Sequence, residues 1–340
     1  MSVHVGTSGW SYRSGKGTWN GVFYPATRSK RRGTAGFDEL RFYAEHFDTV
    51  EVNTTFYGQP RAEVTAGWAA RTPARFSFAL KLYQKFTHPK MFREAALTSA
   101  PGSEGVLLDL LAEVTRSDVD DFRGGIEPIA RAGKLGSLLA QFPPSFTSTP
   151  ASRDYLARLL RLFGDYPVAV ELRHRSWSDG VGDTLQLLNA FQAAWVHIDE
   201  PKFPFSIRQN ALPNVTGFYY MRLHGRNAAA WWRHERAEDR YNYLYSAAEL
   251  KEFSETAAAA KALVKKVYLY TNNHFAARSV VNAVMLKAQL GDPIEGEYLP
   301  EIVDRYPEIR DLVAKPWKSG RSGRSGKVDE VDEVQEVSLM

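Results

Sequence analysis

Charged and polar side chains stand at or near the ends of eight β-rich segments of this chain. They are Ser8, Glu51 with Asn53, Lys81, Gln141, Glu171 with Arg173, His197 with Asp199, Arg222 with His224, and Asn272 with Asn273. In four of the sets the two residues are separated by one position, which puts both on one face of a β-strand. Burying such groups without partners is costly, so apolar strands that end in them indicate a built polar pocket.

The residue types in this pocket suit acid/base chemistry on an anionic or polar molecule. His224 is the first candidate for a general acid or base, because the pKa of histidine ordinarily lies near neutrality. Glu171 and Glu51 are the carboxylates that we expect to act with it. The expected substrate-binding residues are Ser8, Asn53, Lys81, Gln141, Arg173, Asp199, Arg222, Arg226, Asn272 and Asn273. A lattice of ion pairs that only closes the core is the competing interpretation.

The charges of the predicted pocket nearly cancel. Three carboxylates (Glu51, Glu171, Asp199) face three cations (Lys81, Arg173, Arg222). This balance favours a small polar or anionic ligand over a bare metal cage, and we assign no metal ligands. The sequence shows no motif for a nucleotide cofactor, and it leaves the cofactor requirement open.

Two residues of the pocket have further alternatives. Lys81 could form a Schiff base, but two nearby carboxylates are expected to keep its amine protonated, which ranks this chemistry low. Arg226 lies where barrels often hold phosphate, together with the start of the last helix, and Asn273 could simply cap that helix.

Eight alternating β and α segments must position these residues. The predicted strands cover residues 3–8, 49–56, 75–82, 135–142, 167–173, 194–199, 217–224 and 266–272. Helical patterns lie between them, with a break expected at Gly124 and Gly125. Strict alternation predicts a parallel sheet closed into a single (β/α)8 TIM-type barrel, in which sites lie at the carboxyl ends of the strands. A doubly wound open sheet is the alternative, weakened by the lack of a glycine fingerprint.

The barrel is expected to span residues 1–317, and the composition changes beyond it. Residues 318–340 consist of SGR and DEV repeats with no apolar face, which predicts a disordered tail. The 340 residues include no cysteine, so disulfides and thiolate sites are excluded. Because neither a secretory signal nor a membrane-spanning run is visible, we expect a cytoplasmic protein. The net charge is +4, and its densest cluster is Arg28, Lys30, Arg31 and Arg32, either a solvated loop or a phosphate contact.

Several long motifs occur in an order that resembles one known family. They are GTSGWSY at 6–12, VEVNTTFY at 50–57, FALKLYQKFTH at 78–88, QFPPSF at 141–146, VAVELRHRSW at 168–177, RLHGRN at 222–227, NYLYS at 242–246 and YTNNHFA at 270–276. With these motifs the chain resembles the DUF72 family, also called YecE-like proteins. The resemblance implies a TIM-type barrel and an uncharacterised function.

Three functions stay open at this stage. The first is an enzyme, of hydrolase, lyase or isomerase type, acting on a small molecule that contains a sugar, phosphate or other anionic group. The second, suggested by likeness of the barrel class to endonuclease IV, is a nucleic-acid phosphodiesterase or binder using the basic segment 28–32. Its support is weak, because His88, His197, His224 and His274 form no recognisable pair of metal ligands. The third is a non-catalytic ligand-binding protein.

Overall fold

A computed structural model describes residues 1–26, 37–99, 113–209, 212–233 and 235–313. The basic cluster at residues 28–32, the predicted domain end at residue 317 and the predicted tail at 318–340 lie outside the described residues.

Parallel β-strands form the centre of the molecule. They are β1 (Ser2–Ser8), β2 (Thr49–Val52), β3 (Ser77–Lys81), β4 (Leu135–Gln141), β5 (Val168–Glu171), β6 (Ala194–Trp195), β7 (His197–Asp199), β8 (Phe218–Leu223) and β9 (Lys266–Thr271). Their order in the sheet is β6-β5-β4-β3-β2-β1-β9-β8-β7, and every pair is parallel. The two ends of this sheet, β6 and β7, are consecutive in the chain. The sheet is therefore a nearly closed barrel, and the predicted TIM-type fold is confirmed.

The barrel has nine strands where the sequence predicted eight, because the predicted sixth strand is divided at Val196. Its first part, β6, pairs with β5, and its second part, β7, pairs with β8. Between them the amide of Val196 donates to the carbonyl of Val170 on β5 at 2.9 Å. The chain thus passes from one partner strand to the other within six residues.

Helices follow the strands and cover the barrel. They are α1 (Glu39–His46), α2 (Thr54–Tyr57), α3 (Ala62–Ala70), α4 (Gln84–Thr87), α5 (Pro89–Ser99), α6 (Arg116–Arg131), α7 (Pro150–Leu162), α8 (Ser176–Asp179), α9 (Val181–Ala190), α10 (Ala228–Trp231), α11 (Ala247–Lys261), α12 (Arg278–Gln289) and α13 (Pro300–Arg305). Short 3-10 turns occur at Ala237–Tyr241, Phe275–Ala277 and Pro307–Ile309. In the part of the chain that the structure describes, no helix is long and apolar enough to span a membrane.

The predicted helix break at Gly124 and Gly125 is wrong, since α6 continues through both residues. A capping box at Thr115 and Asp118 fixes the start of this helix. Gly125 is buried against the backbone of Pro60, whose carbonyl oxygen would lie 1.9 Å from a Cβ at that position. The glycine therefore serves close packing on the chain before α3, not a turn.

The last predicted helix, 275–290, is divided at its start. Ala276 and Ala277 have φ values of 51° and 64°, in the left-handed region that residues other than glycine seldom adopt. Both alanines are fully buried, the amide of Ala276 donates to the carbonyl of Gly17, and the hydroxyl of Tyr306 donates to the carbonyl of Ala276. These contacts hold the connection between β9 and α12 in place, at the same end of the barrel as the predicted pocket.

Candidate functional site

A buried ion network crosses the barrel near the carboxyl ends of its strands. Arg222 on β8 donates to Glu51 on β2 from Nε at 2.8 Å and from Nη2 at 2.6 Å. Its Nη1 donates to Glu171 Oε2 on β5. The three side chains are at most 1% exposed. Tyr220 completes the set, because its hydroxyl donates to Glu51 Oε2 at 2.7 Å.

The network pairs every oxygen of its two carboxylates. Glu171 Oε1 accepts from Gln141 Nε2 and from Arg173 Nε, both at 2.7 Å. Burial acts to raise the pKa of Glu171, but the guanidiniums of Arg222 and Arg173 hold it well below its usual range. Glu171 and Glu51 therefore lie at the predicted end of the barrel. Each of their carboxylate oxygens already accepts a hydrogen bond from another side chain of the protein.

His224 is part of the same network and has no exposed surface. Its Nε2 lies 3.3 Å from Arg173 Nη2 and 3.4 Å from Arg222 Nη1, while Asn272 Nδ2 donates to Nδ1 at 2.8 Å. Burial, followed by the positive charge of Arg222, lowers the pKa of His224 to about 3. The imidazole is thus neutral at physiological pH, and its geometry favours a positioning role over the predicted proton transfer.

Strand β7 presents the opposite face from the one that the sequence predicted. Ile198 is in register with Arg222, so Ile198 faces the barrel axis and its neighbours His197 and Asp199 face the surrounding helices. Asp199 accepts from the hydroxyl of Tyr245 at 2.7 Å and from Arg226 at 2.8 and 3.0 Å. The prediction that Asp199 belongs to the axial pocket is therefore wrong.

The inward carboxylate of this segment is Glu200, which the sequence analysis missed. It is 5% exposed, and its Oε2 lies 3.5 Å from Arg173 Nη1. Within the described ranges that oxygen has no hydrogen-bond partner. Burial raises the pKa of Glu200, an effect that the charge of Arg173 opposes. The register of β7 was the missing information, because a shift by one residue exchanges the two faces of a strand.

Three other predicted binding residues occupy different positions. Arg226 lies outside the barrel wall, where Asp199 and Glu252 bind its guanidinium, the latter at 2.7 Å. Asn273 donates to Asn282 Oδ1 at 2.7 Å, away from the axial network. Neither geometry supports the phosphate contact or the helix cap considered for them. Strand β2 ends at Val52, so the strand periodicity that placed Asn53 beside Glu51 does not extend to it.

Lys81 and Ser8 keep unpaired polar groups at this end of the barrel. The Nζ of Lys81 lies 3.8 Å from the centre of the Phe56 ring, and no described carboxylate forms an ion pair with it. Burial, aided by Arg222 and opposed by Glu171 and Glu51, lowers the pKa of Lys81 to about 7. The hydroxyl of Ser8 is buried without a hydrogen-bond partner among the residues described.

His88 lies beside the same aromatic ring as Lys81. Its imidazole packs edge-to-face against Phe56 at 4.9 Å between ring centres. Burial, with the charges of Lys81 and Arg173, lowers the pKa of His88 to about 3, so it is neutral near pH 7. The Phe56 ring is thus in contact with both the Lys81 amine and the neutral imidazole of His88.

The described residues contain no group of three His, Asp or Glu side chains that could hold a metal ion. The nucleic-acid alternative depends on the basic segment 28–32, which lies outside them, and stays a prediction.

The tryptophans near this end of the barrel differ in exposure. Trp177 is fully buried and donates to the carbonyl of Phe146, whereas Trp232 is 56% exposed beside Phe203 and Phe205.

Fold and site together define a TIM-like barrel with a polar network at the carboxyl ends of its strands. Residues 4–303 match the family described as "Protein of unknown function DUF72", and the chain belongs to that family. This result confirms the resemblance seen in the motifs.

The chain is also similar to proteins named UPF0759 and to solved structures of DUF72 family proteins. The chain is 27% identical over 285 residues to the UPF0759 protein YunF of Bacillus subtilis, covering 80% of this chain and 89% of that one. It is 30% identical over 156 residues to the UPF0759 protein YecE of Escherichia coli K12, covering 45% and 48%. A crystal structure of a DUF72 family protein from Thermotoga maritima is 30% identical, with a TM-score of 0.69 over 86% of this chain and 100% of that one. One from Enterococcus faecalis is 26% identical, with a TM-score of 0.67 over 86% and 96%.

Proposed function

We propose that this protein is an enzyme that acts on a small anionic molecule by acid/base chemistry at the carboxyl end of the barrel. One observation carries the proposal. The ion network satisfies all four carboxylate oxygens of Glu51 and Glu171. Glu200 Oε2 and Ser8 Oγ are nevertheless buried without a hydrogen-bond partner among the described residues, and Lys81 Nζ lies against the Phe56 ring. Unpaired buried polar groups beside a saturated network are typical of a site that binds a ligand.

The roles that follow differ from those expected from the sequence. Glu200 is the proposed proton-transfer group, because burial raises the pKa of its carboxyl and so favours the protonated form, which can donate a proton. Lys81 and Arg173 are the proposed binding groups for the negative charge. Glu51, Glu171 and His224 hold the two guanidiniums in position.

A screen for ligands tests this function directly. The full chain would be mixed with pools of small carboxylates and phosphates, and binding would be followed by thermal shift and native mass spectrometry. Each ligand found would then be incubated with the protein and searched for products. Arg173→Gln should weaken binding by at least tenfold, since a desolvated charge-assisted hydrogen bond contributes about 1.5–3 kcal/mol.

Arg226→Gln is the matched control. It removes a guanidinium that also binds a carboxylate but lies outside the barrel wall, so binding should be unchanged. Binding without turnover would instead support the non-catalytic alternative. If no anion binds, or if both variants bind as well as the parent, the proposed function is wrong.

A further inference from the structure

We propose that Lys81 forms a covalent imine with the carbonyl carbon of a small aldehyde or ketone that also bears a carboxylate or phosphate. This inference rests on the proposed function, since it assigns a substrate class and a bond-forming step to the same pocket.

The position of Lys81 is the first support. It is the last residue of β3, at the end of the barrel where this fold class places its reactive groups. Its Nζ rests against one face of Phe56, which restricts the amine on that side without giving it a hydrogen-bond acceptor. The residue is half-buried, so part of it is open to solvent.

Burial, followed by the positive charge of Arg222, favours the neutral form of the Lys81 amine. The sequence predicts a protonated amine instead, because Glu51 and Glu171 were expected to stabilise the positive charge of Lys81. In the structure Arg222 binds both carboxylates and itself repels a second positive charge. With a pKa of about 7, roughly half of the Lys81 amine carries a lone pair at neutral pH. A neutral amine is the form that attacks carbonyls.

Other buried lysines of the described chain lack this combination. Lys85 is paired with Asp118 at 2.8 Å, and Lys287 with Asp292 at 3.2 Å. Lys134 donates to the carbonyls of Ala69 and Thr72 at 2.6 and 2.7 Å. Each of these amines is held by a carboxylate or by backbone carbonyls, whereas the Lys81 amine lies against the Phe56 ring.

Arg173 is the reason to expect an anionic group on the substrate. Its side chain is 16% exposed, and after its bond to Glu171 its Nη1 contacts Glu200 only at 3.5 Å. A guanidinium with a loosely paired edge is a good partner for a carboxylate or a phosphate. The ligand would therefore carry its charge toward Arg173 and its carbonyl carbon toward Lys81.

The bond-forming step is balanced without an oxidant or reductant. The nitrogen lone pair of Lys81 attacks the carbonyl carbon, and the carbonyl π electrons move to oxygen, which takes up a proton. The nitrogen loses one proton, giving a neutral carbinolamine. The hydroxyl then takes a second proton and leaves as water while the nitrogen lone pair forms the C=N bond. The product is a protonated imine, which attracts electrons from the adjacent carbon.

Reductive trapping tests the inference. The full chain would be incubated with glyoxylate or with glyceraldehyde 3-phosphate, which separate the carboxylate and phosphate classes, and reduced with sodium cyanoborohydride. Intact-mass measurement and peptide mapping would locate the adduct. We expect the main adduct at Lys81, formed at least tenfold faster than adducts at exposed Lys202 and Lys251. Its rate should be half-maximal near pH 7.

Two variants separate this chemistry from general labelling of lysines. Lys81→Arg keeps the positive charge but removes the amine, so the fast adduct should disappear. Lys85→Arg alters a buried lysine four residues away and should leave it unchanged. Circular dichroism would show that both variants are folded.

The inference and the proposed function can fail separately. If carbonyl-free carboxylates or phosphates bind through Arg173 but neither probe labels Lys81 preferentially, the covalent step is wrong and the proposed function stands. Equal labelling of the parent chain and Lys81→Arg also overturns the covalent step. If no anion binds and no adduct forms, both proposals fall.

Discussion

Glu51 and Arg222 form a bidentate ion pair across the barrel, although β1 and β9 lie between their strands in the sheet. Both side chains are almost completely excluded from water. Because the same guanidinium also binds Glu171 on β5, one arginine connects three strands at the end of the barrel. At the mouth of the barrel, burial and then the charge of this arginine lower the pKa of the Lys81 amine.

Replacement of Arg222 by methionine should destabilise the fold strongly. The change leaves two buried carboxylates without their main partner, and breaking a buried ion pair in this way costs about 3–5 kcal/mol. Urea unfolding should show the loss as a lower midpoint. Arg116→Met is the control, since it removes an exposed pair with Asp120 and should cost less than about 1 kcal/mol. Equal stability of the two variants would contradict the structural importance of the network.

Adjacent glycines of α6 should respond in opposite directions to alanine. Gly124→Ala adds a methyl group to open space in a helix interior and should stabilise the protein by about 0.5–1 kcal/mol. Gly125→Ala would force a methyl group against the carbonyl of Pro60 and should destabilise it by about 1–3 kcal/mol. Thermal unfolding of the two variants measures the difference. A shift of the same sign in both would refute the close packing of α6 on Pro60.

Acid should destabilise the protein below about pH 6.5. Burial lowers the pKa of His224, His88 and His274 from 6.5 to about 3. The stability that comes from keeping these rings neutral is present above pH 6.5 and is lost as the pH falls toward 3, because only the unfolded chain takes up the protons there.

His274→Phe isolates one of these groups. The ring stacks on Tyr12 at 4.3 Å, and phenylalanine can keep that contact without titrating. The free energy of unfolding, measured between pH 4 and 6, should then rise less steeply with pH, by up to about 1.4 kcal/mol per pH unit. An unchanged slope in the variant would contradict the neutral, buried state of His274.

The fold was predictable to the extent that it depends on hydrophobic pattern. The alternation of segments predicted a parallel barrel, and the long strands β1, β4, β8 and β9 lie close to their expected positions. The division at Val196 was not predictable, because it arises from the change of hydrogen-bond partner needed for near closure. The continuous α6 escaped prediction for a similar reason. Gly125 packs against Pro60, a contact that no local pattern encodes.

The site was predictable in composition but not in detail. Strand spacing brought Glu51, Glu171, Arg173, Arg222 and His224 together correctly in space. The pairing of donors with acceptors depends on the closed barrel and could not be read from the sequence. Because Arg222 binds both Glu51 and Glu171, these carboxylates do not pair with Lys81, contrary to the expectation that they keep its amine protonated. In the segment HIDE both alternations are equally regular, so the sequence could not distinguish the Asp199 face from the Glu200 face.

That last ambiguity yields a matched pair of variants at neighbouring positions. Asp199→Asn should destabilise the protein at pH 7 by about 1–3 kcal/mol, since Arg226 and Tyr245 lose a charged acceptor. Glu200→Gln should leave stability unchanged or raise it. Burial raises the pKa of Glu200 in the folded protein. The stability that comes from the protonated carboxyl is therefore present below about pH 4.5 and is lost as the pH rises through the folded-state pKa.

Urea unfolding of the two variants at pH 7.5 and pH 4.5 distinguishes these effects. Relative to the parent chain, Glu200→Gln should gain stability between pH 4.5 and 7.5, because glutamine carries no charge that must be buried. Asp199→Asn is the comparison at the neighbouring position, because it removes an acceptor that binds Arg226 and Tyr245 away from the barrel axis. If Glu200→Gln gains no stability relative to the parent chain between pH 4.5 and 7.5, then Glu200 is not the buried inward carboxyl on which the proposed acid/base chemistry depends.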